Sequence, residues 1–195
     1  MESSGSFVLV ISDSHGSTAS LATVLEWAET ACDHTFDAAI FLGDGFADVD
    51  PASARTGFSL PWHAVRGNGD YQSYIHDNMV LEFPGKNPAL HSSRKLFLSH
   101  GSRYRVEEEF TSIAAAARSA GAEAALFGHT HVPYCATMDG IFLLNPGSIS
   151  RPRSNAGCTF AVLECPDSGP LAARFFNLTG LKPSDHQCRE IKLRA

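Results

Sequence analysis

Phe7-Val8-Leu9-Val10-Ile11-Ser12-Asp13-Ser14-His15-Gly16 is a continuous apolar run that stops abruptly at polar residues and a glycine. Five apolar residues in a row are the signature of a strand buried on both faces, as in a parallel sheet covered by helices. A helix is predicted next, with Ser17 or Thr18 as its N-cap and Leu21, Val24, Leu25 and Ala28 at helical spacing. Ala38-Ala39-Ile40-Phe41-Leu42 repeats the buried-strand pattern and ends in Gly43-Asp44-Gly45. A short helix is predicted near Asp48 to Arg55. A third strand, Trp62-His63-Ala64-Val65, ends in Gly67-Asn68-Gly69-Asp70. Strands alternating with helices in this way predict an α/β domain with parallel strands.

After residue 75 the pattern changes. Met79 to Phe83 and Lys95 to Ser99 are predicted strands flanking a loop that bears Pro, Gly and Ser, and the second runs into His100-Gly101. Glu107 to Ser119 is predicted as a helix with acids in its first turn and an alanine-rich middle. Ala124-Ala125-Leu126-Phe127 is another buried strand, ended by Gly128 and followed by His129-Thr130-His131. If the backbone stays extended there, the two imidazoles point the same way. Tyr134 to Met138 and Ile141 to Asn145, joined at Asp139-Gly140, form the clearest hairpin in the chain. Asn145-Pro146-Gly147-Ser148 breaks it, and Cys158 to Glu164 and Leu171 to Phe176 are two further predicted strands. Residues 180 to 195 are polar and charged and receive no assignment. The first half favours parallel strands and the second favours hairpins. Two packed sheets with helices outside satisfy both.

At 195 residues, with 44% hydrophobic and 18% charged residues, the chain has the composition of an ordinary globular protein and is expected to form one domain. Residues 1 to 6 form a polar N-terminal tail without the basic and apolar parts of a signal peptide, and no run approaches transmembrane length. A net charge of −6 supplies no basic field for long nucleic acid or an anionic membrane. The five cysteines are odd in number and contain no C-x-x-C pair, which fits reduced thiols in the cytoplasm.

Chemistry gathers at the strand ends. Asp13 and His15 follow the first strand, Asp44 the second and Asn68 the third. His100 follows the strand at 95 to 99, and His129 and His131 follow the strand at 124 to 127. Open α/β sheets bind ligands outside the carboxyl ends of their strands. Asp44-Gly45 and Asn68-Gly69 are each common turn dipeptides, and Asp13 could serve an Asx turn, so no single motif decides the matter. Five strand ends each delivering an oxygen or nitrogen ligand exceed what turn chemistry requires. Two carboxylates, one amide oxygen and four imidazoles, with no thiolate, suit manganese, iron, zinc or nickel better than calcium or copper(I). Seven ligands are too many for one transition metal but fit two if a carboxylate bridges. Such a pair can clamp the attacking and leaving oxygens of a phosphoryl displacement. His34, His63, His76, His91 and His186 fit no such pattern and are expected to be ordinary surface or core residues.

The ordered set D-x-H, G-D, G-N, strand-His and G-H-T-H resembles the calcineurin-like metallophosphoesterase superfamily. The short chain, Asn145-Pro146-Gly147-Ser148 and Pro152-Arg153 resemble its small YfcE-like phosphodiesterase branch. The resemblance implies a four-layer αββα sandwich of two packed mixed sheets with a dinuclear site on one edge. It gives one metal to Asp13, His15, Asp44 and His131, and the other to Asp44, Asn68, His100 and His129, with Asp44 bridging. It implies two divalent transition-metal ions, manganese before zinc, iron or nickel. A metal-bridging hydroxide would attack a small phosphodiester. Asp48 and Asp70 are candidates to orient ligand imidazoles. Arg153 and Arg151 are candidates for substrate phosphate, in the fork geometry arginine favours.

Two departures temper the expected rate. Gly69 stands where many superfamily members carry a histidine that protonates the leaving oxygen, and Ser102 where many close relatives place another histidine. A missing general acid typically forfeits ~10²–10⁴ in rate. The competing reading is a non-catalytic protein-interaction scaffold, as in the retromer subunit built on this fold. A closed, cysteine-rich structural zinc site fits poorly. Association between copies of the chain is left open.

Overall fold

In β1 (Gly5–Ile11), Leu9 and Ile11 face one way and Val8 and Val10 the other, and all four are fully buried. The strand thus lies between two apolar layers, as its unbroken run implies. The structure, a computed structural model, describes residues 5–87, 93–179 and 187–193. Gly5 and Ser6, expected in a polar tail, already belong to β1, paired with Pro166 and Cys165.

Leu9 and Ile11 pack beneath α1 (Thr18–Thr30), which buries Leu21, Val24, Leu25 and Ala28, and α2 (Val49–Thr56), which adds Val49 and Ala52. Ser17 holds the N-cap position of α1, but its hydroxyl pairs with Ser20 Oγ at 2.8 Å rather than capping a backbone N–H. β2 (Ala38–Phe41) and β3 (Trp62–Ala64) run parallel to β1. On its other side β1 pairs antiparallel with β9 (Cys158–Pro166). β10 (Ala172–Thr179) and β11 (Gln187–Ile191) complete a six-stranded sheet in the order β11-β10-β9-β1-β2-β3. β11 lies in the stretch left unassigned from sequence; five mostly polar residues on a sheet edge carry almost no apolar alternation to read.

The second sheet has the order β4-β5-β6-β8-β7. It comprises β4 (Asn78–Pro84), β5 (Ser93–Ser99), β6 (Ala124–Leu126), β7 (Tyr134–Met138) and β8 (Ile141–Asn145). The antiparallel pairs β4–β5, β7–β8, β9–β10 and β10–β11 fit the hairpins favoured for the second half, and β5, β6 and β8 add a parallel triplet that the sequence reading did not assign there. The β7–β8 hairpin is present, with Asp139 at φ 49° and Gly140 at φ 80°, the pair of positive values a type I′ turn needs. Val8, Val10 and Ile40 of the first sheet meet Leu96, Leu98, Leu126 and Leu144 of the second. Outside the second sheet lies α3 (Thr111–Ser119), burying Ile113, Ala114 and Ala117 against Phe97, Ala125 and Leu143. The layers are therefore helix, sheet, sheet, helix. Each fully buried Leu, Ile or Phe contributes ~1.5–3 kcal/mol, so these three interlayer clusters hold the layers together.

α3 starts at Thr111, four residues later than predicted. Phe110 packs on Phe127 and Tyr134, with ring centroids 5.4 and 4.4 Å away, and this anchor leaves Glu107, Glu108 and Glu109 in a preceding turn. The five cysteines are all free. No helix among the described residues is long and apolar enough to cross a membrane.

The topology positions the site. Each sheet carries one parallel triplet, β1-β2-β3 and β5-β6-β8, and the loops after these strands carry Asp13, His15, Asp44, Asn68, His100, His129 and His131.

Candidate metal centre

Seven described non-glycine residues have positive φ, and five of them are Asp13 (56°), His15 (44°), Asp44 (57°), His129 (66°) and His131 (59°). Left-handed backbone is costly for residues with a Cβ and persists where surrounding contacts enforce it. The loops are laced together at their backbones: Asp13 N–H donates to Gly43 O and His15 N–H to Asp44 O, both at 3.0 Å. Gly128 N–H donates to His100 O, also at 3.0 Å. A Cβ on Gly128 would stand 2.0 Å from Ser12 Oγ and 2.7 Å from Asp13 Oδ2, so only glycine fits beside that carboxylate.

The left-handed turns at His129 and His131 overturn the extended reading of that tripeptide, and the two imidazoles part. His131 Nε2 lies 3.0 Å from Asp13 Oδ1 and 3.1 Å from His15 Nε2. His129 instead packs edge-on to His100, with ring centroids 5.1 Å apart. His15 Nε2 is 3.7 Å from Asp13 Oδ1 and 3.8 Å from Asp44 Oδ2. His100 Nε2 is 3.6 Å from the same Asp44 Oδ2, so this oxygen stands between the two histidine groups. Asp13, His15 and His131 form one cluster whose ligand atoms lie within 4.8 Å of one another, and Asp13, Asp44 and His100 form a second. By that measure Asp13 is the shared member, whereas the resemblance makes Asp44 the shared one. Asn68 is exposed on the rim of the cleft.

The charges bear on what the cluster can hold. Burial by itself raises the Asp13 carboxyl, but the His131 and His15 imidazoles beside it, at 3.0 and 3.7 Å, outweigh it and hold the group well below the usual carboxylate range. Burial opposes ionisation of Asp44 as well, and His100 with the Gly69 N–H at 2.6 Å brings it down. Burial lowers His100, yet Asp44 and Asp13 raise it overall. Burial, then the His100 charge, lowers His129.

These residues fit a metal on their own geometry. His100 Nδ1 pairs with Leu42 O at 2.7 Å, and His131 Nδ1 with Arg151 O at 2.6 Å. A neutral imidazole that donates from Nδ1 turns a bare Nε2 lone pair toward the carboxylates. Asp13 Oδ1 and His100 Nε2 are buried without a hydrogen-bond partner. Acceptors converging in a buried space call for a cation among them. Glu107, given no role from sequence, faces His129 Nε2 at 3.6 Å. Only the fold brings these two side chains together, so nothing local could have flagged the glutamate.

Asp48 and Asp70 do not orient imidazoles. Asp70 accepts backbone N–H groups from Asp44, Gly45, Phe46 and Gly67 at 2.8–2.9 Å and so fixes the loop that carries Asp44. Asp48 accepts from Ser14 Oγ (2.5 Å), Gly16 N (2.9 Å) and Thr18 Oγ1 (2.9 Å), fastening the loop that carries His15 to α1. The imidazoles are oriented by backbone carbonyls instead, and no side-chain pattern in the sequence reports those. Two further holders come from the broken hairpin. Asn145 Nδ2 donates to Gly128 O (2.7 Å) and Thr130 Oγ1 (3.0 Å), and Ser148 Oγ donates to Asp13 O (2.7 Å). Arg151 and Arg153 are exposed and line the cleft of ≈ 400 Å³ together with His15, Asp44, His129 and His131.

Residues 7–168 match the family model of the calcineurin-like phosphoesterase superfamily domain. The chain is 28% identical over 182 residues to the probable metallophosphoesterase YsnB of Bacillus subtilis, covering 93% of this chain and 97% of that protein. It is 28% identical over 173 residues to the phosphodiesterase YfcE of Escherichia coli, covering 80% of this chain and 86% of that one. The crystal structure of wild-type Vps29 from Entamoeba histolytica in complex with zinc superposes with a TM-score of 0.67 at 23% identity. That alignment covers 95% of this chain and 98% of that one. The chain belongs to the calcineurin-like phosphoesterase superfamily.

Proposed function

We propose that this member of the calcineurin-like phosphoesterase superfamily is a phosphodiesterase that holds two divalent transition metals and hydrolyses small phosphodiesters. One observation carries the reading: Asp13 Oδ1 and His100 Nε2 are buried, unpartnered, and meet Asp44 and two further imidazoles at the junction of the two parallel triplets. Asp13, His15 and His131 would hold one ion, His100, His129 and Asn68 the other, with Asp44 between them. The bound ions would supply an activated water at neutral pH and charge to neutralise the phosphate. Manganese is the first choice for an oxygen and nitrogen donor set without thiolate.

The chain's own residues do the rest. Gly69 N–H, Leu42 O and Arg151 O fix Asp44, His100 and His131, so the site is preorganised. Arg151 and Arg153, on the rim, meet the non-reacting phosphate oxygens. Gly69 has no side chain to protonate the leaving oxygen, so diesters with good leaving groups are favoured.

A second reading is favoured by the likeness to Vps29. The zinc complex shows that a chain of this fold can hold an ion, and holding an ion does not by itself make a chain an enzyme. Turnover, rather than metal content, therefore separates the two. The test is to purify the protein without chelator, measure bound metals, and assay aryl and alkyl diesters with each metal restored. His100→Ala and Asn68→Ala should sharply lower turnover while circular dichroism stays native. A metal-loaded wild-type protein inert on every diester, or His100→Ala near wild-type rate at limiting metal, rejects the phosphodiesterase.

A further inference from the structure

A second depression, ≈ 280 Å³ in volume, opens beside the metal cleft and shares His15 and Asp44 with it. The rest of its lining is small at Gly16, Gly45, Ala47 and Gly69, with Asp70, Tyr71 and Gln72 completing it. The depression is thus a passage lined by both Asp44 and Tyr71. At Gly69 the passage depends on the absence of a side chain, because even a Cβ there would approach Asp44 Oδ1 to 3.1 Å.

Tyr71 is 96% exposed. A tyrosine ring left in water has given up the apolar contact that usually holds it. Four large apolar side chains are exposed among the described residues. Tyr71 and Tyr74 follow the Asn68 loop, Val132 follows His131, and only Val80 lies on a strand away from the ligand loops. Gln72 adds a polar signal, since its Oε1 is buried without a hydrogen-bond partner. A carboxamide offers an acceptor and two donors, the complement of a nucleobase edge.

We propose that this slot receives the nucleobase of a nucleotidyl diester, so that the substrate class of the centre is a phosphodiester carrying a planar aromatic base. The base stacks on Tyr71 and its polar edge meets the Gln72 amide, while the phosphate faces Arg151 and Arg153 over the cluster of His15 and Asp44, where bound cations would offset the carboxylate charge. The inference rests on the phosphodiesterase reading above and narrows it.

Two diesters with the same leaving group test it: thymidine 5′-(p-nitrophenyl) phosphate and methyl p-nitrophenyl phosphate. The wild-type protein should prefer the nucleoside ester. Tyr71→Ala should lower the ratio of the two kcat/KM values by about 5- to 100-fold, the loss expected on removing one base–aromatic stack. Tyr71→Phe, which keeps the ring, should restore most of the ratio. In parallel, thymidine 5′-monophosphate binding to the protein as purified is followed by saturation-transfer NMR, with Tyr71→Ala and Gln72→Ala each expected to weaken it. An unchanged ratio in Tyr71→Ala overturns the slot while leaving the phosphodiesterase standing, as does a Tyr71→Phe protein as impaired as Tyr71→Ala. If neither ester is cleaved but the nucleotide binds in a Tyr71-dependent way, the slot stands and the catalytic reading falls.

Discussion

Asp70→Asn separates a loop clamp from an imidazole-orienting role. Asp70 Oδ2 accepts from the Asp44 and Gly67 amides and Oδ1 from those of Gly45 and Phe46, all at 2.8–2.9 Å. A carboxamide keeps the shape but has one oxygen, so two of the four amides lose their acceptor and face an NH₂ donor. Hydrogen bonds to charged groups contribute ~1.5–3 kcal/mol each. Asp70 is half-buried, so water recovers part of the loss, and the expected destabilisation is ~2–4 kcal/mol. For a chain of this length that lowers Tm by ~4–16 °C. Urea unfolding in chelator, compared between wild type and variant, reads the effect without metal. Metal titration of the variant should then show weakened binding, because the clamped loop carries Asp44. An Asp70→Asn protein as stable as wild type in chelator, with only its metal binding impaired, would refute the clamp.

Three further outcomes are expected. The saturated protein should hold two transition-metal ions per chain and Asp44→Ala should weaken both sites, since Asp44 Oδ2 lies 3.8 Å from His15 and 3.6 Å from His100; elemental analysis showing one tight ion untouched by Asp44→Ala contradicts this. Rates should fall steeply from aryl to alkyl diesters. Gly69→His should flatten that dependence by no more than ~10²–10⁴. Gly69 lacks positive φ, so the backbone admits a side chain, but a Cβ 3.1 Å from Asp44 Oδ1 must displace that carboxylate slightly, and metal content has to be measured first. A shallow wild-type slope would point to another proton donor. The third outcome concerns pH in the metal-free protein, where burial lowers His100 but Asp44 and Asp13 raise it above its ordinary 6.5. A raised folded-state value gives stability that is complete below the unfolded value and lost as pH rises through the folded one. Melts in chelator should therefore weaken as pH rises above about 6.5. Metal binding, which needs unprotonated imidazoles, should strengthen over the same range. Melts with and without metal that move in the same direction would contradict the assignment.

The candidate donors were legible from sequence because chemistry-bearing residues directly follow apolar runs, and a buried strand announces itself over five residues. The layering was legible in the same way: Leu9 and Ile11 against Val8 and Val10 is a period-two pattern with both faces apolar. The roles of Asp48 and Asp70 were not. Both are single carboxylates near ligands, and their partners are backbone N–H groups, which every residue but proline possesses. Glu107 was hidden for a related reason. As one of three consecutive glutamates it read as the first turn of a helix, and the packing of Phe110 is what leaves it in a turn facing His129.

By itself the sequence determined the strand ends, the donor types and the family, because each depends on residue identity over a few neighbouring positions. The tertiary structure alone decided that β5, β6 and β8 form a second parallel triplet, since strand direction is set by pairing with distant partners. It also decided which way His129 and His131 turn. Their left-handed backbone is unfavourable locally and is held by contacts such as the His129 amide on Asp13 Oδ2, 116 residues away in the chain. Local preference sets what a residue can donate. Long-range packing, which offsets the strain, sets where the donor points.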